Sequence, residues 1–223
     1  MPWTWPDQTV MTFPMVQTHD HNHHVSGLIL AAGASRRMGR PKQLLRIKGK
    51  SMVALAAEAF MSAGISEIVV VTGHFRKRVE RELENYPVRC VLNPCPHSQM
   101  IDSVRVGLEG LSVTASGCLI LPVDCALVSA KIVKALVKLH WQFPERIIRP
   151  HSGKRGGHPV LIPRSFFTQA SQVKTLRELF RNGNHRPLDV QLKDRWAFFD
   201  MDTPEHYQMA LKLLENSRKP NVR

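Results

Sequence analysis

The chain is poor in the features that mark secreted, membrane-spanning or single-strand-binding proteins. Its four cysteines, Cys90, Cys95, Cys118 and Cys125, include no C-x-x-C pair. With no export signal in sight they read as reduced thiols rather than as a disulfide framework. No apolar run approaches the roughly 20 residues of a membrane span, and the N-terminus lacks the charged-then-apolar order of a signal peptide. A soluble, cytoplasmic protein without a membrane partner is therefore expected. Aromatic residues make up 7% of the chain and are not interleaved with basic ones, which argues against nucleic acid as a partner. Acidic residues are scarce as well: 18 Asp and Glu face 31 Lys and Arg, a formal charge of +13. Taken alone, that excess suits a polyanionic ligand, nucleic acid or an anionic surface equally.

A chain of 223 residues can bury one sizeable core, so a single domain over 25–223 with an extension at 1–24 is expected. The first 24 residues carry turns at Pro2 and Pro6 and a dense run of His19, His21, His23 and His24. They show neither helical nor strand period and read as a flexible extension. His-rich tracts can bind metals, but this one has no paired ligands elsewhere and stays outside the mechanism.

From Val25 onward strands and helices alternate. The apolar run Val25–Leu30 predicts a strand, Ser51–Ala63 a helix, and Glu67–Thr72 a strand apolar on both faces. The alternation continues with a helix at about 74–85, a strand at Val88–Leu92, a helix at about 98–111, a strand at Cys118–Pro122 and a helix at about 129–141. Beyond Pro150 the pattern loosens: a strand at Val160–Ile162, a helix near 173–181, a strand pair around 187–199 and a closing helix Pro204–Glu215 are expected. Strands alternating with helices predict a three-layer α/β/α domain with a mostly parallel, mixed, Rossmann-like sheet. In such a sheet, ligands sit beyond the carboxyl ends of the strands, so the loops after Leu30, Thr72, Leu92 and Pro122 should line one crevice.

The motifs fall on those loops. Leu30-Ala-Ala-Gly-Ala-Ser-Arg-Arg-Met-Gly-Arg-Pro-Lys42 follows the first strand directly. Small residues at 31–34 let backbone N–H groups approach a ligand, and Arg37 and Lys42 can neutralise phosphate oxygens, which together describe a triphosphate cradle. The spacing is neither that of a Rossmann fingerprint nor that of a Walker loop. Leu119-Ile-Leu-Pro-Val-Asp124 is a buried strand ending on a carboxylate. Asp124 is placed to hold Mg²⁺ through the triphosphate, because Mg²⁺ keeps several waters and needs few protein ligands; the alternative is a helix cap, although Ser129 lies closer to that cap. Asp202, in Asp200-Met-Asp-Thr-Pro-Glu205, stands three residues before Glu205 and can equally open the last helix as a capping box.

The phosphate loop resembles the signature L-A-[AG]-G-x-S-x-R-M-G-x-x-K of the nucleotidyltransferases of molybdenum cofactor maturation and their isoprenoid and sugar-nucleotide relatives, which share the nucleotide-diphospho-sugar-transferase type of fold. The resemblance extends from Val25 to Leu214. Ala32, where the guanylyltransferase branch carries a second glycine, together with Pro41-Lys42-Gln43-Leu44-Leu45, looks like the cytidylyltransferase branch and implies CTP. It also implies nucleotide contacts at Leu30, Ala31, Ala32, Gly33 and Ser35, with Arg37 and Lys42 as the catalytic pair. Asp124 and Asp202 are the implied metal ligands for Mg²⁺. The segment 99–108 resembles G-M-S-x-S-[LV]-x-x-G-L, which implies contacts from Met100 and Ser103, although Asp102 beside a triphosphate works against binding. Arg155-Gly-Gly-His158-Pro-Val-Leu resembles the segment beside the acceptor pocket, and its bare alternative is a turn entering a strand. The G-D-x-G-A-R stretch of clear molybdopterin cytidylyltransferases is missing; Phe180-Arg-Asn-Gly-Asn-His-Arg-Pro187 stands where it would fall.

The function expected from these residues is transfer of CMP from CTP to a phosphorylated acceptor, molybdopterin foremost, with release of pyrophosphate. A molybdoenzyme or its maturation chaperone is the implied downstream partner. Competing expectations are GTP as the donor, a sugar or alcohol phosphate as the acceptor, and a carrier of nucleotide or finished cofactor with catalysis lost.

Overall fold

The computed structural model describes residues 24–95, 99–153, 155–181, 187–192 and 194–216. Histidines 19, 21 and 23 of the expected extension, and most of the 180–187 segment, lie outside the described residues. The first strand, β1 (His24–Ala31), already includes His24. A two-stranded hairpin follows, β2 (Arg46–Ile47) and β3 (Lys50–Ser51), then α1 (Met52–Ser62) and β4 (Ile68–Thr72). Next come α2 (Arg76–Glu82), β5 (Arg89–Leu92), α3 (Met100–Glu109), β6 (Ala115–Pro122) and α4 (Ala130–Gln142). The final third holds β7 (Ile148–His151), β8 (Val160–Pro163), the short helices α5 (Phe167–Ala170) and α6 (Leu176–Leu179), β9 (Leu188–Gln191) and α7 (Pro204–Asn216).

Seven strands form one sheet in the order β5-β4-β1-β6-β8-β7-β9. Strands β5, β4, β1 and β6 pair in parallel, β8 runs antiparallel between β6 and β7, and β7 and β9 are parallel again. The mostly parallel mixed sheet expected from the alternation is what the chain forms. Buried runs such as Leu28–Ala31 and Ile68–Val71 are strands covered on both faces, and alternate residues serve opposite layers. Ile29, Ile68, Val70, Leu119 and Leu121 pack beneath α1, α2, α4 and α7. Leu28, Leu30, Val69, Val71 and Ile120 pack beneath α3 and its short neighbours. The Phe60 ring of α1 lies so close over β1 that a Cβ at Gly27 would come within 2.4 Å of it.

Three expectations beyond Pro150 need correction. A strand missed by the pattern, β7, contains Pro150, which has no N–H to give to a ladder, and β7 meets β8 at one residue pair, Ile148 and Leu161. The strand pair around 187–199 is one strand, β9, followed by a 3₁₀ turn, Arg195–Phe198, because Asp194 caps it by accepting from the Trp196 N–H at 3.0 Å. The helix near 173–181 shrinks to α6, capped by the Thr175 hydroxyl.

This topology creates the site. The chain winds outward from β1 to β4 and β5, then returns through α3 to place β6 on the other side of β1. The carboxyl ends of β1 and β6 therefore flank the point where the winding direction reverses, where an open α/β sheet leaves a crevice.

Candidate active site

The loop leaving β1 is held from behind by buried amide chemistry. Gln43 is 1% exposed; its Nε2 donates to the Ala31 carbonyl at 2.9 Å and the Gly33 carbonyl at 2.7 Å. Ser35 adopts φ 56°, a left-handed conformation unusual outside glycine. Its hydroxyl donates to Gln43 Oε1 at 3.3 Å and accepts from the Lys42 N–H at 3.0 Å. Gly73, just after β4, backs the loop from the other neighbour: a Cβ there would stand 2.5 Å from the Ala32 carbonyl oxygen. The sequence pattern does not single out Gly73, and it carries Gln43 only as part of Pro41-Lys42-Gln43-Leu44-Leu45, with no role of its own.

Lys42 is the electrostatic centre. Its Nζ donates at 2.7 Å to Asp124 Oδ2 and at 2.7 Å to Asp202 Oδ1, and Arg37 Nη2 reaches Asp202 Oδ2 at 2.9 Å. Burial by itself would push the Lys42 ammonium down; the Asp124 carboxylate and then Asp202 outweigh it and hold it above its ordinary value. Burial pulls the Asp202 carboxyl up, but its bond to Lys42 and the charges of Lys42 and Arg37 bring it below the usual range. Asp124 lies in the 3₁₀ turn after β6, Val123–Cys125, and its carbonyl accepts from the Met201 N–H at 3.0 Å, which docks the 200–202 segment against β6. The capping alternative for Asp202 is not used: Thr203 Oγ1 accepts from the His206 N–H at 3.4 Å, with Pro204 opening α7 as a first-turn proline can. Asp124 likewise caps no helix, since Ser129 precedes α4.

A crevice of about 350 Å³ opens over these groups. Leu30, Ala32 and Gly33 line it from the loop, Met100 and Ser103 from α3, Asp124 and Asp202 from the acidic side, and His158 from the start of β8. Arg37, Lys42 and Gln43 line it too, as does Asp200, a third carboxylate not singled out by the motifs. Asp200 accepts at 3.2 Å from the Cys125 thiol, which burial and the neighbouring acids Asp124 and Asp200 hold well above its ordinary pKa. Ala31 is buried at the end of β1 and contributes its carbonyl to Gln43 rather than a wall of the crevice. Ser35 acts from behind in the same way.

At the α3 corner, Asn93 Nδ2 donates to Ser103 Oγ at 3.0 Å, tying the end of β5 to the helix. Asp102 does not confront the crevice. It accepts from the Gln99 N–H at 2.8 Å, capping α3, and from Arg105 Nη1 at 2.6 Å, so the repulsion expected from this carboxylate is already neutralised. His158 sits with its backbone N–H on the Ala197 carbonyl at 2.8 Å, and burial lowers its pKa against the opposing pull of Asp124 and Asp200. Its expected companion is elsewhere: Arg155 is exposed in the preceding turn, where its backbone pairs with Ser152, and it does not line the crevice.

The donor set is also suited to a hard divalent cation. Asp124 and Asp202 present carboxylate oxygens to one shared point, held by the Lys42 ammonium. Among the described residues no third His, Cys, Asp or Glu completes a self-sufficient cage. Two carboxylates at the mouth of the crevice suit the coordination habit of Mg²⁺, which takes one or two protein carboxylates and fills its remaining positions with water and phosphate oxygens.

Residues 27–189 match the MobA-like NTP transferase domain. The chain belongs to the MobA-like NTP transferase family. It is 34% identical over 146 residues to nicotine blue oxidoreductase of Paenarthrobacter nicotinovorans, covering 62% of this chain and 70% of that protein. A probable molybdenum cofactor guanylyltransferase of Natranaerobius thermophilus is 28% identical over 207 residues, covering 86% of this chain and 97% of the relative. Among solved structures, Rv0371c of Mycobacterium tuberculosis H37Rv shares the fold with a TM-score of 0.75 at 22% identity, over 85% of this chain and 98% of that one. As a MobA-like protein the chain is a nucleotidyltransferase that uses a nucleoside triphosphate. No helix among the described residues is long and apolar enough to cross a membrane.

Proposed function

We propose that this MobA-like nucleotidyltransferase transfers a nucleoside monophosphate from a Mg²⁺-bound triphosphate to a phosphorylated acceptor, with molybdopterin as the leading acceptor. The observation that carries the proposal is the convergence of Lys42 with Asp124 and Asp202 at 2.7 Å each, beside a loop whose backbone is pinned for anion binding. An acceptor phosphate oxygen attacks the α-phosphorus, the bond between that phosphorus and the α–β bridging oxygen breaks, and pyrophosphate leaves. The acceptor phosphate is already ionised at neutral pH, so no protein nucleophile is needed; positioning and charge neutralisation supply the rate. Lys42 and Arg37 neutralise the charge that builds on the phosphates. Asp124, with Asp202, would hold Mg²⁺, whose chemistry when bound is to draw charge from the triphosphate oxygens. Ser103 and the first turn of α3 flank the nucleotide, and His158 faces the acceptor side of the crevice. A cytoplasmic setting accords with this chemistry.

Two observations bear on the base. Relatives named as probable molybdenum cofactor guanylyltransferases, at 28% and 25% identity over most of the chain, support GTP. Ala32, lining the crevice where the guanylyltransferase signature has glycine, and the following Pro41-Lys42-Gln43-Leu44-Leu45 are the features that favour CTP. The names of the relatives lend CTP no support, and GTP is the better-supported donor. Pyrophosphate release with Mg²⁺ and each of GTP, CTP, ATP and UTP, with and without molybdopterin, tests the proposal. Acceptor-dependent release with GTP supports it as stated. Acceptor-dependent release with CTP alone assigns the base to Ala32, and tight nucleotide binding without release under any pairing replaces transfer by a carrier role.

A further inference from the structure

Two side chains behind the phosphate loop, Gln43 and Ser35, contribute no charge, yet they determine which way its peptide groups face. Nearly every polar contact of the buried Gln43 amide is spent on this one loop: Nε2 on the carbonyls of Ala31 and Gly33, Oε1 on the Ser35 hydroxyl. In a planar trans peptide, C=O and N–H point in opposite directions. Drawing the Ala31 and Gly33 carbonyls onto Gln43 therefore aims the N–H groups of Ala32 and Ala34 away from it. Backbone N–H groups turned to one side of a loop form a concavity that binds anions. The same amide also reaches the catalytic lysine, since the Ser35 hydroxyl that donates to Gln43 accepts the Lys42 backbone N–H at 3.0 Å.

We infer that Gln43 is a positioning residue for the nucleotide: it fixes the loop's N–H groups toward the phosphates and, through Ser35, sets the backbone from which Lys42 projects. The inference rests on the nucleotidyl-transfer function proposed above. It divides the labour between two variants. Gln43→Met keeps the volume but removes both donors, so the buried Ala31 carbonyl and the part-buried Gly33 carbonyl lose the bonds that orient them. Ser35→Ala keeps the two carbonyl bonds and removes the hydroxyl that joins Gln43 Oε1 to the Lys42 backbone N–H.

Nucleotide binding is measured by calorimetric titration of the full-length protein with Mg²⁺ and GTP or CTP, alongside steady-state pyrophosphate release. Gln43→Met is expected to weaken the nucleotide Kd by about tenfold or more while leaving the acceptor KM unchanged. Ser35→Ala is expected to lower kcat about tenfold with the nucleotide Kd within about twofold of wild type. A role confined to stability would reduce the fraction of active protein, and so the apparent kcat, without moving either Kd. Gln43→Met binding nucleotide as tightly as wild type overturns the inference. If Gln43→Met does not fold, Ser35→Ala decides, and an unchanged kcat overturns it. A wild-type protein that binds neither nucleotide overturns the nucleotidyl-transfer function and this inference together, whereas wild-type binding with an indifferent Gln43→Met removes this inference alone.

Discussion

Lys42 Nζ lies 2.7 Å from Asp124 Oδ2 while making an equally short contact with Asp202, so one ammonium neutralises two carboxylates in a largely buried setting. The arrangement has a built-in consequence. The acids that would hold a divalent cation are the acids that hold Lys42, and the lysine that would neutralise the triphosphate is engaged by them. Two like charges this close need a shared cation, since neither carboxylate is hydrated enough to stand alone. Arg37 supports only Asp202, which leaves Asp124 more dependent on Lys42 or on a metal.

Removing the lysine should therefore move metal binding and catalysis in opposite directions. Lys42→Ala leaves Asp124 and Asp202 facing each other without their ammonium, so a divalent cation gains affinity in the absence of nucleotide, by about tenfold. Turnover should fall by about a hundredfold or more, because charge on the transferring phosphates loses its neutralising partner. Mn²⁺ binding followed by paramagnetic resonance, together with pyrophosphate release, checks both arms. Weaker Mn²⁺ binding in the variant, or unchanged turnover, would sink the shared-cation account.

The two acids should not be equivalent. Asp202→Asn retains Asp124 beside Lys42, whereas Asp124→Asn removes the carboxylate paired with Lys42 and leaves Asp202 paired with Arg37 and Lys42. The Mg²⁺ concentration for half-maximal turnover should rise more in Asp124→Asn than in Asp202→Asn, and chelator should abolish turnover in the wild type. Equal Mg²⁺ requirements in the two variants would show that the asymmetry of the ion pairs has no bearing on metal use.

Gly73 makes a separate, steric prediction. A Cβ at that position would sit 2.5 Å from the Ala32 carbonyl oxygen and 3.0 Å from its Cα, backbone atoms that cannot rotate aside. Gly73→Ala should therefore shift the phosphate loop, costing about 1–3 kcal/mol of stability and raising the nucleotide KM. Because the nearest clash is with the Ala32 backbone, Ala32→Gly in the same chain should not restore activity. Rescue by that second change, read from nucleotide KM and thermal denaturation, would contradict the geometry.

The chemistry that is local in sequence is legible without coordinates. Gly33, Arg37 and Lys42 sit on one loop directly after a strand whose apolar run marks it as buried, and Asp124 ends another such strand. Asp202 is less legible because its two uses differ by where α7 begins; once Thr203 takes the cap, Asp202 is released to Lys42 and Arg37. Gln43 stands in the motif Pro41-Lys42-Gln43-Leu44-Leu45 without a role, since its partners are backbone carbonyls and a hydroxyl whose positions depend on the fold of the loop. Arg155 shows the converse failure: it belongs to a segment that resembles an acceptor site, yet the turn carries it to the surface while His158, three residues on, lines the crevice. Strand β7 escapes detection because Pro150 breaks its pattern without excluding it from a short ladder.

At the opposite end of the sheet, His140 predicts a pH dependence of stability unrelated to the active site. It is buried in α4 at 1% exposure, its Nδ1 has no hydrogen-bond partner among the described residues, and its Nε2 lies 3.3 Å from Ser116 Oγ. Burial depresses its pKa from the ordinary histidine range to about 4, against a weaker opposing pull from Glu145. A histidine depressed in the folded state binds its proton more readily in the unfolded chain. Its contribution is therefore fully present above the unfolded value of 6.5 and is lost progressively as pH falls from there toward 4. The loss is on the order of 3 kcal/mol. His158 is also depressed by burial and acts in the same direction, so His140→Leu should remove only part of the slope. Thermal denaturation of wild type and His140→Leu between pH 7 and 4.5 should show the two curves converging as pH falls, the wild type losing more. Parallel curves would mean that His140 is protonated as readily folded as unfolded, and that α4 can open locally to hydrate it.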